Sequence, residues 1–139
     1  MRETQLGSDH LLTAASFNNL ASLYADMGCY SEAEPLFVRS LQICETQLGN
    51  NHPDIANIFS NLALLYQKIG CYSEAEPLYL KSLEISVGWR GENHRHTRNI
   101  RNNYRYLIQQ MVESDRTQEL SSHPITQALL QQIREAGAE

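Results

Sequence analysis

The sequence predicts an all-α protein built from stacked antiparallel helix hairpins. The main observation is an internal repeat, because shifting the chain by 42 residues aligns Gly28–Leu36 with Gly70–Leu78 without a mismatch. Over Gly7–Leu48 and Gly49–Arg90, 21 of 42 positions are identical. The composition, with 18 Leu and 3 Val, favours helix over sheet. A helical unit of this size cannot bury both its faces alone, so neighbouring units must stack.

Each unit is predicted to contain two helices joined by a short turn. In the second unit, Pro53 favours the start of the first helix and Gly70 its end. The second helix is predicted to open at Ser73, with Glu76 completing a capping box. The first unit repeats this plan between Leu11 and Leu48. The apolar residues of the second unit's first helix recur at the helical period and are Ile55, Ile58, Phe59, Leu62, Leu65, Tyr66 and Ile69.

A third copy of the unit is recognisable at its start, and its later residues diverge from the first two copies. Gly7, Gly49 and Gly91 align on the 42-residue lattice, but later positions diverge. The chain length suits a single domain, predicted to span residues 1–139. Its predicted parts are a remnant of a preceding repeat at 1–6, repeat one at 7–48, repeat two at 49–90, the first helix of a divergent third repeat at 91–112 and a C-terminal capping segment at 113–139.

Composition and charge argue against several classes of function. No apolar run approaches the ~20 residues of a membrane span, and no signal peptide is evident, so we expect a cytoplasmic protein without a membrane partner. The net charge of −5 argues against nucleic-acid binding. Arg90–Arg105 nevertheless carries five Arg and one Glu, a local charge of +4. This segment is either a solvated face or a weak site for acidic partners.

The residues able to carry chemistry do not form a recognisable catalytic or metal site. His94 and His96 lie two residues apart, so they would not share a helix face. Cys29 and Cys71 occupy the same turn of successive units, and helices ~8–10 Å apart hold them too far apart for a disulfide. No phosphate-binding glycine loop or catalytic triad order is evident. We therefore predict no enzyme activity, no metal and no cofactor.

Two motifs resemble a known family. The pattern Phe17-x-x-Leu-Ala-x-x-Tyr24, followed by Ala33-x-x-x-Phe37, resembles the tetratricopeptide repeat, with Phe for its usual Trp and Ala for its usual Gly. The period of 42 rather than 34 residues resembles the kinesin-light-chain-like branch. The resemblance implies a right-handed superhelical stack of helix hairpins and a function in protein or peptide binding.

The chain departs from the repeat pattern near its C-terminal end. Arg105 stands where the first two units have Ala21 and Ala63, and so large a residue predicts a solvent-facing terminal helix without a close partner. The segment from Pro124 to Ala136 is predicted to form a last amphipathic helix. Its predicted apolar face contains Ile125, Ala128, Leu129 and Ile133.

The resemblance places the candidate binding residues on the first helices, which in this family line a concave peptide-binding groove. One Asn in each unit would form a ladder that can both donate to and accept from an extended peptide backbone. Alternatively, these Asn side chains are solvated or bonded to neighbouring helices. The expected groove residues are Ala15, Asn19, Ser22 and Asp26 in the first unit, Asn57, Asn61, Leu64 and Lys68 in the second, and Asn99, Asn103, Tyr106 and Gln110 in the third.

The residues at the groove restrict the class of ligand that is expected to bind. The family's clamp for a C-terminal carboxylate pairs such Asn with Lys or Arg, but Ala15 and Asn99 stand where the cations would be needed. The clamp is therefore not predicted. Arg95, Arg98 and the histidine pair instead favour acidic side chains near the third unit.

The predicted function is noncatalytic binding of a protein or peptide. One alternative is a structural spacer or terminal cap of a longer repeat protein. Another is self-association into a homo-oligomer, through the open repeat edge beside Phe17 and Tyr24 or through the C-terminal helix.

Overall fold

Consecutive helices form a stack of antiparallel hairpins. The structure, a computed structural model, describes residues 3–138 and the side chains of residues 10–137. Each helix contacts the next, and the first helices of neighbouring hairpins also touch. No strand occurs in the described residues, which confirms the all-α prediction. The elements are α1 (Glu3–Asp26), α2 (Tyr30–Leu48), α3 (Pro53–Ile69), α4 (Tyr72–Arg90), α5 (Arg95–Glu113), a 3₁₀ turn (Thr117–Glu119) and α6 (Pro124–Ala138).

Small residues let the helices of a hairpin approach closely. Ala21 and Ala33 are fully buried between α1 and α2, and Ala63 is fully buried at the equivalent position of α3. The hydroxyl of a buried serine also ties each hairpin together, because Ser40 donates to the Ala14 carbonyl at 2.7 Å. The equivalent bond, from Ser82 to the carbonyl of Ala56, measures 2.6 Å. The 42-residue repeat in the sequence is therefore also a repeat of contacts.

The second helices begin before the predicted capping box. α4 starts at Tyr72, and its N-cap residue is Cys71, whose side chain makes no capping bond. The prediction that Ser73 caps this helix is wrong, because Ser73 lies within the first turn and is exposed. Glu76 is buried and accepts a hydrogen bond from the Ser121 backbone N–H at 2.8 Å.

Histidine side chains cap three helices. The Nδ1 atoms of His52, His94 and His123 each accept a backbone N–H two residues later, at 3.1 Å. A ring nitrogen that accepts must be unprotonated, so each bond fixes the tautomer of its imidazole. Two of these histidines lie on the 42-residue lattice, where their role at a helix start was not predicted.

The first helix extends beyond its predicted start. α1 begins at Glu3, whereas the repeat pattern predicted Leu11, so Gly7 lies inside a continuous helix. The second unit breaks at the same place because Pro53 restricts His52 to extended backbone, with φ −136° and ψ 145°. Leu11 replaces this proline in the first unit and imposes no such restriction. Of the predicted remnant at 1–6, Met1 and Arg2 lie outside the described residues, and the others belong to α1.

The first helix of the third unit, α5, is covered by other helices, contrary to the prediction that it faces solvent. Tyr104, Leu107 and Met111 of α5 are fully buried in a cluster that includes residues of α4 and α6. Arg105 remains exposed, and its Nη2 donates to Gln132 Oε1 of α6 at 3.1 Å. The arginine was correctly predicted to stay in solvent, but it does not keep a partner helix away.

The closing helix packs on its own chain. Leu129 and Leu130 of α6 are buried, whereas Ala128, predicted on the apolar face, is exposed. Thr126 is also buried, and its hydroxyl lies 2.5 Å from the hydroxyl of Tyr104. The segment that leads to α6 is held by Arg116, whose Nη1 donates to the Gly70 carbonyl at 3.2 Å. Among the described helices, none has the length and apolar character that a membrane crossing requires.

Candidate binding groove

A polar depression crosses the three first helices. It has a volume of about 320 Å³ and lies where α3 contacts both α1 and α5. Four of the asparagines expected from the sequence are brought together here. The lining residues are Asn18, Asn57, Ser60, Asn61, His96, Asn99, Ile100 and Asn103.

The asparagines do not form the regular ladder that the sequence suggested. Asn61 Nδ2 donates to Asn18 Oδ1 at 3.2 Å, so this amide links α3 to α1. Asn18 lines the depression, whereas its neighbour Asn19, the expected residue, is exposed and does not. Successive units of a solenoid are related by a rotation as well as a translation. A groove that crosses the helices obliquely therefore need not meet the same repeat position in each unit.

A smaller crevice, called the first crevice because it lies between the first and second units, adjoins the polar depression, which is called the second crevice. It has a volume of about 180 Å³ and opens between α1, α2 and α3. The 42-residue shift converts Asn57 to Asn99, Asp54 to His96 and Ile58 to Ile100, so the two depressions share equivalent walls. The lining residues are Leu11, Ala15, Asn18, Ser40, Cys44, Asp54, Asn57 and Ile58.

The two crevices differ in polarity. Burial, with smaller contributions from Asp54 and Glu45, raises the pKa of the Cys44 thiol, so this thiol is uncharged. The residue equivalent to Cys44 is Ser86, whose hydroxyl lies 2.7 Å from that of Thr97. The first crevice combines the apolar Leu11, Ala15 and Ile58 with the carboxylate of Asp54 at its wall, whereas the second offers amides and a histidine.

Positive charge concentrates at the third-unit end of the groove. Arg90 Nη1 donates to Asn57 Oδ1 at 3.4 Å, which holds a guanidinium at the edge. Desolvation, followed by the charges of Arg90, His94 and Arg95, lowers the pKa of His96. His96 is therefore neutral at pH 7, and the positive charge comes from the arginines.

The histidine pair is accounted for without a metal. The rings of His94 and His96 stack with centroids 5.4 Å apart, and His94 Nδ1 is used as the α5 cap. No group of three or more potential metal ligands occurs in the part of the chain that the structure describes.

The remaining predicted groove residues lie outside the depression. Asp26 and Lys68 form an ion pair at 3.7 Å, and because the Asp26 side chain is 74% exposed, the pair contributes little stability. Gln110 Oε1 accepts from Gln67 Nε2 at 2.5 Å, and Gln67 Oε1 accepts from the buried Tyr79 hydroxyl at 2.9 Å. Ser22 and Leu64 are half-buried, and Tyr106 is exposed.

Comparisons with known proteins establish the family. The profile of the tetratricopeptide repeat matches residues 12–86 and 54–104, which together cover most of the chain. The chain belongs to the tetratricopeptide repeat family. The right-handed superhelical stack implied by the repeat motifs is thus its fold class, and the family supports a protein–protein interaction module.

A solved structure agrees with this tetratricopeptide fold. The crystal structure of BtubC (BKLC) from P. vanneervenii is similar with a TM-score of 0.69 and 21% sequence identity. The match covers 90% of this chain and 56% of that chain, so the tetratricopeptide array described here spans about half of the BtubC length. It supports the fold of stacked helix hairpins. No curated protein matches the chain.

Three features of the tetratricopeptide groove were missed in the sequence. Asn18 was passed over because Asn19 falls on the repeat lattice. Arg90 contacts the groove from the end of α4, although only first helices were expected to contribute. The first crevice depends on Leu11 and Cys44, whose helices are brought together only in the fold. The adjacent asparagines were the only local signal for any of these features.

Proposed function

We propose that this chain is a noncatalytic module that binds an extended peptide or partner segment along the groove of α1, α3 and α5. The observation that carries the proposal is the depression across the three helices, with asparagines from each of them in its lining. Amides both donate and accept hydrogen bonds, so they match a peptide backbone whatever its side chains. First helices ~10 Å apart correspond to about three residues of extended chain at ~3.3 Å each.

The crevices suggest which side chains such a peptide carries. The first crevice, at about 180 Å³, has room for one aliphatic side chain beside the apolar Leu11, Ala15 and Ile58. The arginines near the second depression favour an acidic side chain there. The preferred ligand is therefore an extended segment that carries an aliphatic residue at the first crevice. An acidic residue several positions away in the same segment lies at the second crevice.

The hydrogen-bonding part of this proposal can be tested with immobilised ten-residue peptides of randomised sequence. Binding of the labelled chain selects peptides, whose affinities are then measured by fluorescence anisotropy. Asn99→Ala removes a groove amide and should weaken binding about two- to tenfold, the range for one lost hydrogen bond. Asn102→Ala is the matched control, because Asn102 lies on the same helix, is exposed and does not line the depression.

The crevice can be tested independently of the amides. Ala15→Phe introduces a ring into the first crevice and should remove the selection for an aliphatic residue. Ser16→Phe, at an exposed neighbouring position, should leave that selection intact. Equal losses in both variants would contradict the assignment of the crevice as a side-chain site.

The charge preference has its own test. Arg95→Gln, which removes a charge that acts on the groove residue His96, should reduce binding of acidic peptides, and the reduction should shrink as the salt concentration rises. Arg134→Gln, which removes an exposed arginine from α6, is the control.

The alternative is a structural spacer or terminal cap. It is favoured by α6, whose outer face is polar and covers the end of the stack. A spacer would select no peptide from the randomised set. A cytoplasmic location stays a prediction of the sequence.

A further inference from the structure

Four large apolar side chains are exposed in a stripe along the outer face of α1 and the turn that follows it. Leu12 is 68% exposed, Leu20 41%, Leu23 54% and Met27 60%. Their spacing of eight, three and four residues places them along one side of the helix. Contiguous apolar patches of this kind mark interaction sites more often than solvated surface.

The second unit shows what this face accepts. Leu62 and Leu65, the equivalents of Leu20 and Leu23, are only 5% and 1% exposed. They are buried in a cluster with Phe37 of α2 and alanines of the first hairpin. The two central positions of the stripe are therefore positions onto which helices pack, whereas Ile69, the equivalent of Met27, stays 42% exposed.

The charges around the stripe suit a second copy of the same chain. Between Leu11 and Ala25, α1 contains no Asp, Glu, Lys, Arg or His. The chain as a whole carries a net charge of −5, so copies repel each other over most of their surface. On α1 the faces can meet without apposing like charges or burying an unpaired charge.

The opposite end of the stack is more polar than the α1 stripe, because the crevice between α5 and α6 carries Arg105, Glu113 and Gln132 beside Val112 and Ile133. The apolar residues of α6 face α5, and its outer positions are polar, including the exposed Gln131 and Arg134. Head-to-tail stacking would therefore bring an apolar face against a polar one. Pairing the same face on both copies avoids this mismatch and gives a closed two-fold dimer rather than a filament.

The area of the patch indicates how large an interface two copies of the chain could form. Four side chains exposed to this degree present on the order of 400 Å² per copy, comparable to the largest patches on monomers. With its flanks, a two-fold pairing would bury about 1,000 Å², near the lower limit for a specific interface.

From these observations we propose that two copies of this chain associate through the α1 stripe as a weak two-fold dimer. The packing of α6 on its own chain removes the C-terminal helix as an exchangeable arm. An interface of this size belongs to the weak, transient class, so the association should depend on protein concentration.

Analytical ultracentrifugation of the full chain between about 5 and 500 µM tests the dimer. The mass should rise with concentration from 15.8 kDa towards twice that value. The double variant Leu20→Gln/Leu23→Gln should stay at the monomer mass, or its dissociation constant should rise at least tenfold. Ile69→Gln, which changes an exposed apolar residue outside the stripe, should behave like the unchanged chain.

Circular dichroism melting establishes that each variant is folded, which is expected because the substituted leucines are exposed. A monomer mass throughout the concentration range would overturn the proposal. Equal loss of association in the Ile69 variant would overturn it too, because the contact would then not be specific to α1.

Discussion

The first and second units carry the same residues at many positions but bury them differently. Leu20 is 41% exposed, whereas Leu62, at the same position of the next unit, is 5% exposed. Leu23 and Leu65 differ in the same way. The second unit is covered on that side by α1 and α2, while nothing in the described residues covers the first. Burial in this repeat array is thus decided by the neighbouring hairpin, and identical side chains contribute different amounts of stability.

The largest effect should come from Leu62→Ala. It removes buried methyl groups and leaves a cavity, so the free energy of unfolding should fall by about 2–5 kcal/mol in urea titrations. Leu20→Ala, the same change at the exposed position, should cost less than about 1 kcal/mol. Equal costs would show that the covering hairpin does not determine the burial of this position.

The next effect concerns two equivalent glutamates. Glu34 accepts from the Tyr66 hydroxyl at 3.1 Å, whereas Glu76 is buried and anchors the Ser121 backbone N–H. Glu76→Ala leaves that partly buried N–H without its acceptor and should cost about 1–3 kcal/mol. Glu34→Ala, at a half-buried site, should cost about 1 kcal/mol or less. Urea titrations that show the reverse order would contradict the anchoring role of Glu76.

A smaller difference should appear at alkaline pH. Burial first, and then the charge and hydrogen bond of Glu34, raise the pKa of Tyr66 to about 12. A pKa raised on folding stabilises the neutral phenol, so this contribution is complete below pH 10 and is lost as the pH approaches 12. Tyr66→Phe should therefore flatten the fall in stability between pH 10 and 12.

Tyr24→Phe is the matched control for the alkaline experiment, because it removes a hydroxyl at the same position of the first unit. Burial also raises the pKa values of Tyr79 and Tyr104, so the fall in the Tyr66 variant should be reduced and not abolished. An unchanged slope in Tyr66→Phe would contradict the shift.

The smallest stability effect should come from the groove asparagines. Asn61→Ala removes the bond to Asn18 and should lower the free energy of unfolding by about 0.5–1 kcal/mol. Asn19→Ala, at the exposed equivalent position, should leave it unchanged. From sequence alone, Asn61→Ala would be expected to leave the thermal melt unchanged, so the melt of this variant distinguishes the two expectations.

The repeat lattice accounts for how much of the fold the sequence reveals. Helices α2 to α4 follow directly from it, and Ala21, Ala33 and Ala63 lie at the predicted contacts. The start of α1 was predicted wrongly because the 42-residue repeat places a helix start at Leu11, whereas the start in the second unit depends on Pro53, which the first unit lacks. The packing of α6 on α5 was not predicted because a long segment separates α6 from the sequence position where the second helix of a third unit would begin.

The candidate site was only partly predictable for a geometric reason. The family resemblance points to the first helices as the lining of the groove, and Asn57, Asn61, Asn99 and Asn103 do lie together in the depression. The repeat lattice does not contain the rotation between units, on which the choice between Asn18 and Asn19 depends. The contribution of Arg90 comes from a different helix class and has no counterpart in the first unit, where Leu48 occupies the position.

The hydrogen-bond chain from Tyr79 through Gln67 to Gln110 connects a buried phenol to a half-buried amide of α5 that lies outside the depression. Because the tyrosine hydroxyl donates to one end of the Gln67 amide and Gln110 accepts from the other, any rotation of Gln110 changes the polarisation of a buried phenol. A partner segment that displaced Gln110 would therefore alter the near-ultraviolet absorption of Tyr79, a ring it never touches. Occupancy could then be followed optically, with neither protein nor partner carrying a label.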